Sequence, residues 1–373
     1  MEFCLSEEQV MLAESVARFL DDASSLDRVR QLAEGGAVHD PQIWRGLVDL
    51  GLTGMLVPEE YGGMAMSLLD AMLVQEALGA HVTPVSFTPT SVLAVLAISR
   101  GGSEEQKQRW LPAIAAGELQ VAMAISEATG RRGDAGVAIV DGALNGRAAF
   151  VLGDPQAGLV LAADAGGTLH AIARNAAGVT QTGLRSIDDT QPFFELTFEG
   201  AAAESLPGSS PELVDSLVDA GRVMLAADTL GACQEMLDRA VAYARERKQF
   251  NRVIASFQAV KHLCAEMAAE IEPSRSLVWY AAHAFDAVPD ESRLMACHAK
   301  AHLAEIGRFV ARTATEVHGG MGFTDLMGLH YWFKRIGYNR QLLGSPEHLR
   351  EEAARAQGWL TPSRIAEQGG GYR

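Results

Sequence analysis

The sequence predicts an α+β chain of three domains: a helical domain, a small β-domain and a C-terminal four-helix bundle. Three observations predict this order. Capping-box patterns with apolar residues at helical spacing fill the first third of the chain. Short β-prone runs separated by turn dipeptides come next. Long stretches rich in alanine and leucine then continue towards the C-terminus, and 373 residues suit two or three domains.

The first domain is predicted to cover residues 1–119. Its first helix begins at the capping box Ser6-Glu7-Glu8-Gln9, which is followed by apolar residues at helical spacing. The pattern Ser103-Glu104-Glu105-Gln106 opens a further helix, and Pro112 and Gly117 mark where that helix should end.

The second domain is predicted to cover residues 120–207. Its β-prone runs are Val137–Ile139, Ala149–Leu152, Leu159–Leu161, Leu169–Ile172 and Phe193–Phe198. The turn pairs between them are Asp141-Gly142, Asn145-Gly146, Asp154-Pro155 and Gly166-Gly167. Several short strands with such turns predict a small antiparallel barrel or sandwich.

The third domain is predicted to cover residues 208–373. Alanine and leucine dominate 211–247, 256–285 and 291–317, and Pro289 and the Gly319-Gly320 pair are natural breaks. Alanine-rich faces let helices pack closely, so these three stretches predict long helices of a bundle.

Composition excludes several classes of function. Asp and Glu number 47 against 31 Lys and Arg, which gives a net charge of −16 and argues against a nucleic-acid partner. The four cysteines (Cys4, Cys233, Cys264 and Cys297) are far apart, so neither a disulfide framework nor a structural zinc is expected. The start at Met1 shows no secretory pattern, and the longest apolar stretch, Val92–Ile98, is too short to span a bilayer. We therefore expect a cytoplasmic chain with no membrane partner.

Two segments have residues that suit a nucleotide ligand. The first runs from Tyr243 to His262 and combines Arg247 with Phe250, so it could bind a diphosphate and an aromatic ring. A solvated helix end is the alternative reading. The second, Val317–Thr324, contains glycines that would let the backbone approach a ligand, or that simply end a helix.

Together these segments resemble the acyl-CoA dehydrogenase family. The matching motifs are R-K-Q-F-x-R from Arg247, F-Q-x-x-K-H from Phe257 and H-G-G-x-G-F-T from His318. Leu52–Gly63, Ala122–Glu127 and Leu144–Gly146 also resemble segments of the family. The resemblance covers nearly the whole chain, and the fold of that family has the same three domains.

The resemblance implies non-covalent FAD and α,β-dehydrogenation of an acyl-CoA thioester, with an electron-transfer flavoprotein or similar acceptor. In the family a base removes the α-proton, and the FAD lies across a subunit interface. The residues that would then contact a partner's FAD are Arg247, Gln249, Phe250, Gln258, Gly319 and Gly320. Glu316 lies where the family usually has Gln, which weakens that contact.

The sequence departs from the family at the base. Leu343 occupies the position of the usual glutamate, and Gly221, just before Arg222, occupies the alternative position used by other members. A lost general base costs about 10²–10⁴ in rate.

The flavin-side strands also differ from the family pattern. Phe150 and Leu152 replace an aromatic shield and a hydroxyl residue. Ser126 is predicted to bond a flavin edge, or else to be satisfied within the sheet. Arg131-Arg132 could contact a CoA phosphate, although a solvated loop is the alternative.

The sequence-based hypothesis is that this chain is the base-lacking subunit of an α2β2 acyl-CoA dehydrogenase and completes the FAD site of a catalytic partner. Some bacterial family members that act on steroid side chains and other bulky acyl-CoAs are built in this way. Two alternatives stay open: an independently active homotetramer with a base elsewhere, and a binding or scaffold protein on the same fold.

Overall fold

The computed structural model describes residues 4–130 and 133–360. Arg131 and Arg132 lie outside the described residues. The helices of the first domain are α1 (Glu7–Ala23), α2 (Leu26–Glu34), α3 (Pro41–Asp49), α4 (Leu68–Ala80), α5 (Val95–Gly101) and α6 (Glu104–Ala115). Helices α1 and α6 each begin with a complete capping box, in which Ser6 pairs with Gln9 and Ser103 pairs with Gln106. A π-helical segment, Thr88–Ala94, leads directly into α5.

The middle of the chain forms two four-stranded sheets, so the predicted fold class is confirmed. The strands are β1 (Val121–Ala124), β2 (Gly136–Val140), β3 (Ala143–Val151), β4 (Leu159–Ala163), β5 (Leu169–Ala173), β6 (Val179–Leu184), β7 (Phe193–Ala201) and β8 (Glu204–Ser205). One sheet has the order β1-β4-β5-β8 and the other has the order β2-β3-β7-β6. All of these pairs are antiparallel except β1–β4, which is parallel.

The pair Asn145-Gly146 forms a bulge, so the prediction of a turn there was wrong. Both residues lie inside β3, where the register with β7 shifts, and Gly146 has φ +119°. A Cβ atom on Gly146 would come within 2.2 Å of the Gly136 carbonyl oxygen, so only glycine fits. The turn between β2 and β3 is Asp141-Gly142, whose φ values of +52° and +81° match a tight hairpin.

Between residues 208 and 360 the structure describes five α-helices joined by short connections. They are α7 (Pro211–Glu246), α8 (Gln258–Ala287), α9 (Pro289–His318), α10 (Leu329–Gln341) and α11 (Pro346–Ala356). A small hairpin of β9 (Lys248–Gln249) and β10 (Arg252–Val253) connects α7 to α8. Helix α7 also packs on α4 of the first domain, because a Cβ atom on Gly231 would lie 1.9 Å from the Glu76 carbonyl oxygen. The two helix backbones therefore touch.

A buried ionic cluster ties the loop before β7 to helices α7 and α10. Arg335 Nε donates to Asp188 (2.6 Å), and its Nη1 donates to Asp228 (3.2 Å). Asn339 donates to the other carboxylate oxygen of Asp228 at 2.7 Å. All four side chains are buried, so this cluster fixes the middle domain against the helical bundle.

Within residues 4–130 and 133–360, none of the helices has both the length and the apolar character needed to cross a membrane.

Candidate functional site

The predicted site residues fall into two separate regions along α7. This helix has 36 residues, so it is about 54 Å long. The two predicted base positions lie towards its N-terminal half, because Gly221 belongs to that half and Leu343 contacts it. Ser126 lies there too, since the turn that begins at Ser126 lines a groove with Pro211 and Val214. The remaining predicted residues lie where α7 and α9 end and α8 begins.

We call this second region the cofactor surface. It consists of Arg247, Gln249, Phe250, Gln258, Glu316, Gly319 and Gly320, all of which are exposed. The ends of α7 and α9 are held together by a stack of the Tyr243 and His318 rings, with centroids 4.5 Å apart and planes inclined by 24°. The fold therefore brings the arginine segment and the glycine segment to the same end of the bundle.

The β9–β10 hairpin presents Phe250 to solvent. Arg247 ends α7, with its N–H bonded to the Tyr243 carbonyl oxygen at 2.8 Å. Phe250 and Asn251 then adopt positive φ values of +53° and +62°, which reverse the chain. Phe250 is left 86% exposed, with only an edge contact to Phe257. An aromatic ring this exposed favours a role in binding.

The glycine pair leaves its backbone open. Cβ atoms built on Gly319 and Gly320 would meet no heavy atom within 4 Å. The next exposed apolar residues are Phe323 (85%) and Leu326 (72%). The exposed backbone, the apolar side chains and the nearby guanidinium group form a surface with donors and ring faces, which fits the diphosphate and adenine parts of a dinucleotide.

His318 lies directly beneath this surface. Its Nδ1 is 2.7 Å from the Ala314 carbonyl oxygen, so Nδ1 carries the proton and Nε2 is an acceptor. Nε2 is buried and has no hydrogen-bond partner among the described residues. Burial lowers the pKa of His318, and nearby Arg239 lowers it further. The ring is therefore held in its neutral form.

Ser126 is not part of the cofactor surface. It is buried, and its hydroxyl donates to the Phe150 carbonyl oxygen at 2.8 Å. This bond is the within-sheet alternative raised by the sequence, and a flavin contact at Ser126 stays a prediction.

The two expected base positions meet in three dimensions. Leu343 and Gly221 line one cavity of about 50 Å³, together with Leu152, Tyr338 and Asp228. A Cβ atom on Gly221 would lie only 2.5 Å from Leu343 Cδ1. Leu343 is 1% exposed and fills the space beside Gly221. Neither position carries a group that could accept a proton.

The backbone corner that carries Leu343 is held by hydrogen bonds from two basic side chains. Arg222 Nε donates to the Leu343 carbonyl oxygen (3.0 Å), and Lys300 Nζ donates to the Gly344 carbonyl oxygen (2.8 Å). Leu343 itself has φ +55°, an unfavourable value for a branched residue. Burial, with Arg222 and Arg340 nearby, lowers the pKa of Lys300 to about 7. The corner is thus fixed by its surroundings.

Asp219 does not supply a carboxylate to this cavity. Its carboxylate is buried and bonded to Arg222 and Arg293, each at 3.1 Å. Although both arginines oppose it, burial raises the pKa of Asp219. Asp219 is not among the residues that line the cavity.

Asp228 is a carboxylate in the cavity that sequence reasoning missed. It follows Gly221 by seven residues, or two helical turns, so it lies on the same face of α7. This spacing of seven residues was the sequence signal that could have placed Asp228 beside Gly221. Its oxygens accept hydrogen bonds from Gln75 (2.7 Å), Arg335 and Asn339. The oxygens of this carboxylate are thus already engaged by three donors of the protein.

Aromatic rings fill the region beside this cavity. The Phe150 and Phe193 centroids are 5.4 Å apart, and those of Phe193 and Tyr338 are 4.5 Å apart. The stack bridges the middle domain and α10. The volume of this cavity is about 50 Å³, below the roughly 300–1,000 Å³ typical of ligand pockets.

Comparisons with known proteins agree with this architecture. The family model described as acyl-CoA dehydrogenase, N-terminal domain, matches residues 6–118, and the model for the C-terminal domain matches residues 212–358. Acyl-CoA dehydrogenase IpdE2 of Mycolicibacterium smegmatis is 28% identical over 354 residues, which are 93% of this chain and 98% of that protein.

Two solved structures show the same fold over almost their whole length. A variant of the Tcur3481–Tcur3483 steroid ACAD is 28% identical, with a TM-score of 0.85 over 95% of this chain and 98% of that chain. The ChsE4–ChsE5 complex from Mycobacterium tuberculosis is 25% identical, with a TM-score of 0.88 over 97% of this chain and 100% of that chain.

Proposed function

Because this chain belongs to the acyl-CoA dehydrogenase family, we propose that it is the non-catalytic subunit of an α2β2 acyl-CoA dehydrogenase and completes the FAD site of its partner. The catalytic subunit would carry the base, and this chain would contribute its cofactor surface. The observation that carries the proposal is the contact of Leu343 with Gly221, which fills the place of a base with a buried apolar side chain.

The cofactor surface fits the ADP half of FAD. Arg247 would pair with the diphosphate, because a guanidinium group binds phosphate oxygens through two parallel hydrogen bonds. Gly319 and Gly320 would let the diphosphate approach the backbone, and Phe250 would cover a ring. Gln249 and Gln258 would offer amide groups. Glu316 can only accept hydrogen bonds when ionised, so it would face a hydroxyl or amine rather than a phosphate.

FAD, when bound, accepts the hydride removed from the acyl chain. In the proposed complex that chemistry occurs on the partner, and this chain's residues bind and orient the cofactor. Its own cleft would exclude the substrate, because the cavity beside Leu343 and Tyr338 is small.

The comparisons support a heteromeric assembly and a bulky substrate. The ChsE4–ChsE5 structure is a complex of two proteins, and the Tcur3481–Tcur3483 structure is of a steroid ACAD. We propose that the complex containing this chain oxidises a steroid-derived or similarly bulky acyl-CoA and passes electrons to an electron-transfer flavoprotein.

The flavin content of purified protein tests the proposal. The chain purified alone should carry little FAD, whereas the chain copurified with a family member that has the catalytic glutamate should contain about one FAD per two chains. Full FAD occupancy of the isolated chain, with turnover of an acyl-CoA, would contradict the proposal. Absence of FAD from both preparations would favour a scaffold role.

One observation favours the homotetrameric alternative, namely the carboxylate of Asp228 in the cavity. Under that alternative the isolated chain would show acyl-CoA-dependent bleaching of flavin absorbance, and Asp228→Asn would remove it. Under our proposal the isolated chain shows no bleaching and the Asn variant of the complex retains activity. The three hydrogen bonds to Asp228 make the alternative the weaker one.

A further inference from the structure

A serine, a histidine and an aspartate form a relay on the β1-β4-β5-β8 sheet, and Asp164 at one end of it also lines the groove beside the Ser126 turn. His170 and Ser205 are directly opposed in the β5–β8 ladder, so their side chains lie on the same face. Ser205 Oγ is 3.0 Å from His170 Nδ1, and Asp164 Oδ2 is 3.0 Å from His170 Nε2. Hydrogen bonds thus connect the three side chains in series.

The hydrogen-bond inventory fixes the direction of this relay. Asp164 Oδ1 accepts from the backbone N–H groups of Gly166 (2.8 Å) and Thr168 (2.9 Å). Although burial opposes it, the bonds from His170 and these N–H groups lower the pKa of Asp164, so it is a carboxylate. A carboxylate only accepts, so Nε2 of His170 carries the proton. In the neutral ring Nδ1 is then the acceptor, and Ser205 donates its hydroxyl proton to it.

The proposed base, His170, is buried, whereas the proposed nucleophile, Ser205, is an exposed residue. The His170 side chain is 2% exposed, so its ring cannot rotate into solvent. Ser205 is an exposed residue at the end of a two-residue edge strand, so it lies at the protein surface. A hydroxyl bonded to a base that a third group orients is the arrangement that activates serine in acyl transfer.

We propose that Ser205 is an activated nucleophile and a site of O-acylation by acyl thioesters. Ser205 Oγ attacks the thioester carbonyl carbon while its proton passes to His170 Nδ1. The carbon–sulfur bond then breaks, and the departing thiolate takes that proton from His170 and leaves as a thiol. The products are an ester on Ser205 and a free thiol, so no oxidant or reductant is needed. The proposal is independent of FAD and of a partner subunit.

The test is acetylation of the full-length chain by p-nitrophenyl acetate and by acetyl-CoA, with the modified residue located by peptide mass spectrometry. We expect an acetyl group on Ser205 that disappears in Ser205→Ala. The matched control is Ser256, which is also exposed but donates its hydroxyl to the Val253 carbonyl oxygen. Acetylation of Ser205 should exceed that of Ser256 by about 10² or more, the lower range for general-base assistance.

Asp164→Asn is the decisive variant, because its amide oxygen can keep the bonds from Gly166 and Thr168. Its NH₂ group would donate to Nε2 of His170, so the ring would carry its proton on Nδ1 and could no longer accept from Ser205. We expect an unchanged circular dichroism spectrum and acetylation of Ser205 reduced to the level of Ser256. Equal labelling of Ser205 and Ser256 in the unmodified chain, or full labelling in the Asn variant, would overturn the proposal.

Discussion

Leu343 and Gly221, which lie on different elements of the bundle, are in steric contact: a Cβ atom at residue 221 would be 2.5 Å from Leu343 Cδ1. The side chain of one position therefore occupies the space of the other. Glycine at 221 is required by Leu343, and Leu343 is held there by Arg222 and Lys300, which bind the carbonyl groups of residues 343 and 344.

The first prediction is that substitutions at these two positions are coupled in stability. Gly221→Ala should lower the free energy of unfolding by about 1–3 kcal/mol, because it overpacks the contact. Leu343→Ala should cost about 2–5 kcal/mol through the cavity it leaves. The double variant should be more stable than the sum of the two single changes in free energy predicts, because the methyl group at residue 221 then has room. Urea unfolding of the four proteins measures this coupling.

Gly337→Ala is the matched control for this cycle. Gly337 is an exposed residue inside α10, and a Cβ atom there would meet no heavy atom within 4 Å. Alanine should therefore stabilise the chain by about 0.5–1 kcal/mol. If Gly221→Ala is stabilising to the same degree, the contact with Leu343 is not a steric constraint.

The second prediction is that a single acidic substitution does not restore a dehydrogenase. A Gly221→Glu side chain would collide with Leu343, because a Cβ atom there already lies 2.5 Å from Leu343 Cδ1. Leu343→Glu would be introduced into a buried site beside Leu152. We expect acyl-CoA-dependent flavin bleaching in each isolated variant to stay at the level of the unmodified chain.

Gly221→Glu combined with Leu343→Ala tests the steric part of this argument, because it leaves room for the carboxylate. Bleaching that appears only in the double variant would mean that packing alone kept this position from carrying a base. Strong bleaching by either single variant would show that the flavin side of this chain is intact, which contradicts our reading of Phe150 and Leu152.

The third prediction concerns the charge of Arg247. Arg247→Ala in the assembled complex should weaken FAD binding by about 1.5–3 kcal/mol, the value of a hydrogen bond to a charged group, without preventing assembly. Fluorescence titration of the deflavinated complex measures the affinity. Arg245→Ala, two residues earlier and also exposed, is the control and should have little effect. Equal affinity in both variants would mean that Arg247 is only a solvated helix end.

The fourth prediction is a loss of stability in mild acid through His318. Its folded-state pKa lies below the ordinary value of 6.5, because burial disfavours the imidazolium form. The unfolded chain therefore binds a proton more readily than the folded chain below pH 6.5. The contribution of the neutral His318 ring to the free energy of unfolding is fully present above pH 6.5, and it is lost as the pH falls through the folded-state pKa.

Urea midpoints of the unmodified chain and of His318→Phe between pH 7.5 and about 5 test this expectation. The Phe variant keeps a ring against Tyr243 and cannot titrate, so its midpoint should fall less over this range. Identical slopes for both proteins would show that His318 does not contribute.

Local sequence signals were sufficient for α1, α6, the three long helices α7, α8 and α9, and most strands. The capping boxes at Ser6 and Ser103 start α1 and α6 because their serine and glutamine side chains satisfy the free N–H groups of a first turn. The strand β6 was missed because Val179–Leu184 is mostly polar and exposed and has no apolar run. The Asn145-Gly146 pair was misread because a positive φ serves a bulge as well as a turn.

The candidate site could be predicted only where it is built from contiguous residues. The segment around Arg247 and the pair Gly319-Gly320 each form a local motif, and the stack of Tyr243 on His318 places them together. The contact between Leu343 and Gly221 depends on how α7 packs against the corner after α10, which no local pattern encodes. The sequence therefore indicated two separate positions without an acidic residue, whereas in the structure Leu343 fills the space beside Gly221.

The packing of Leu343 against Gly221 also affects the heat stability expected of the proposed complex. Active sites hold charged groups and open space at the expense of stability, and a subunit released from catalysis can replace both with packed apolar atoms. Leu343, at 1% exposure, is such a replacement. In the proposed α2β2 assembly we therefore expect this chain to unfold at a higher temperature than the catalytic subunit, so that unfolding of the catalytic subunit would set the temperature at which activity is lost.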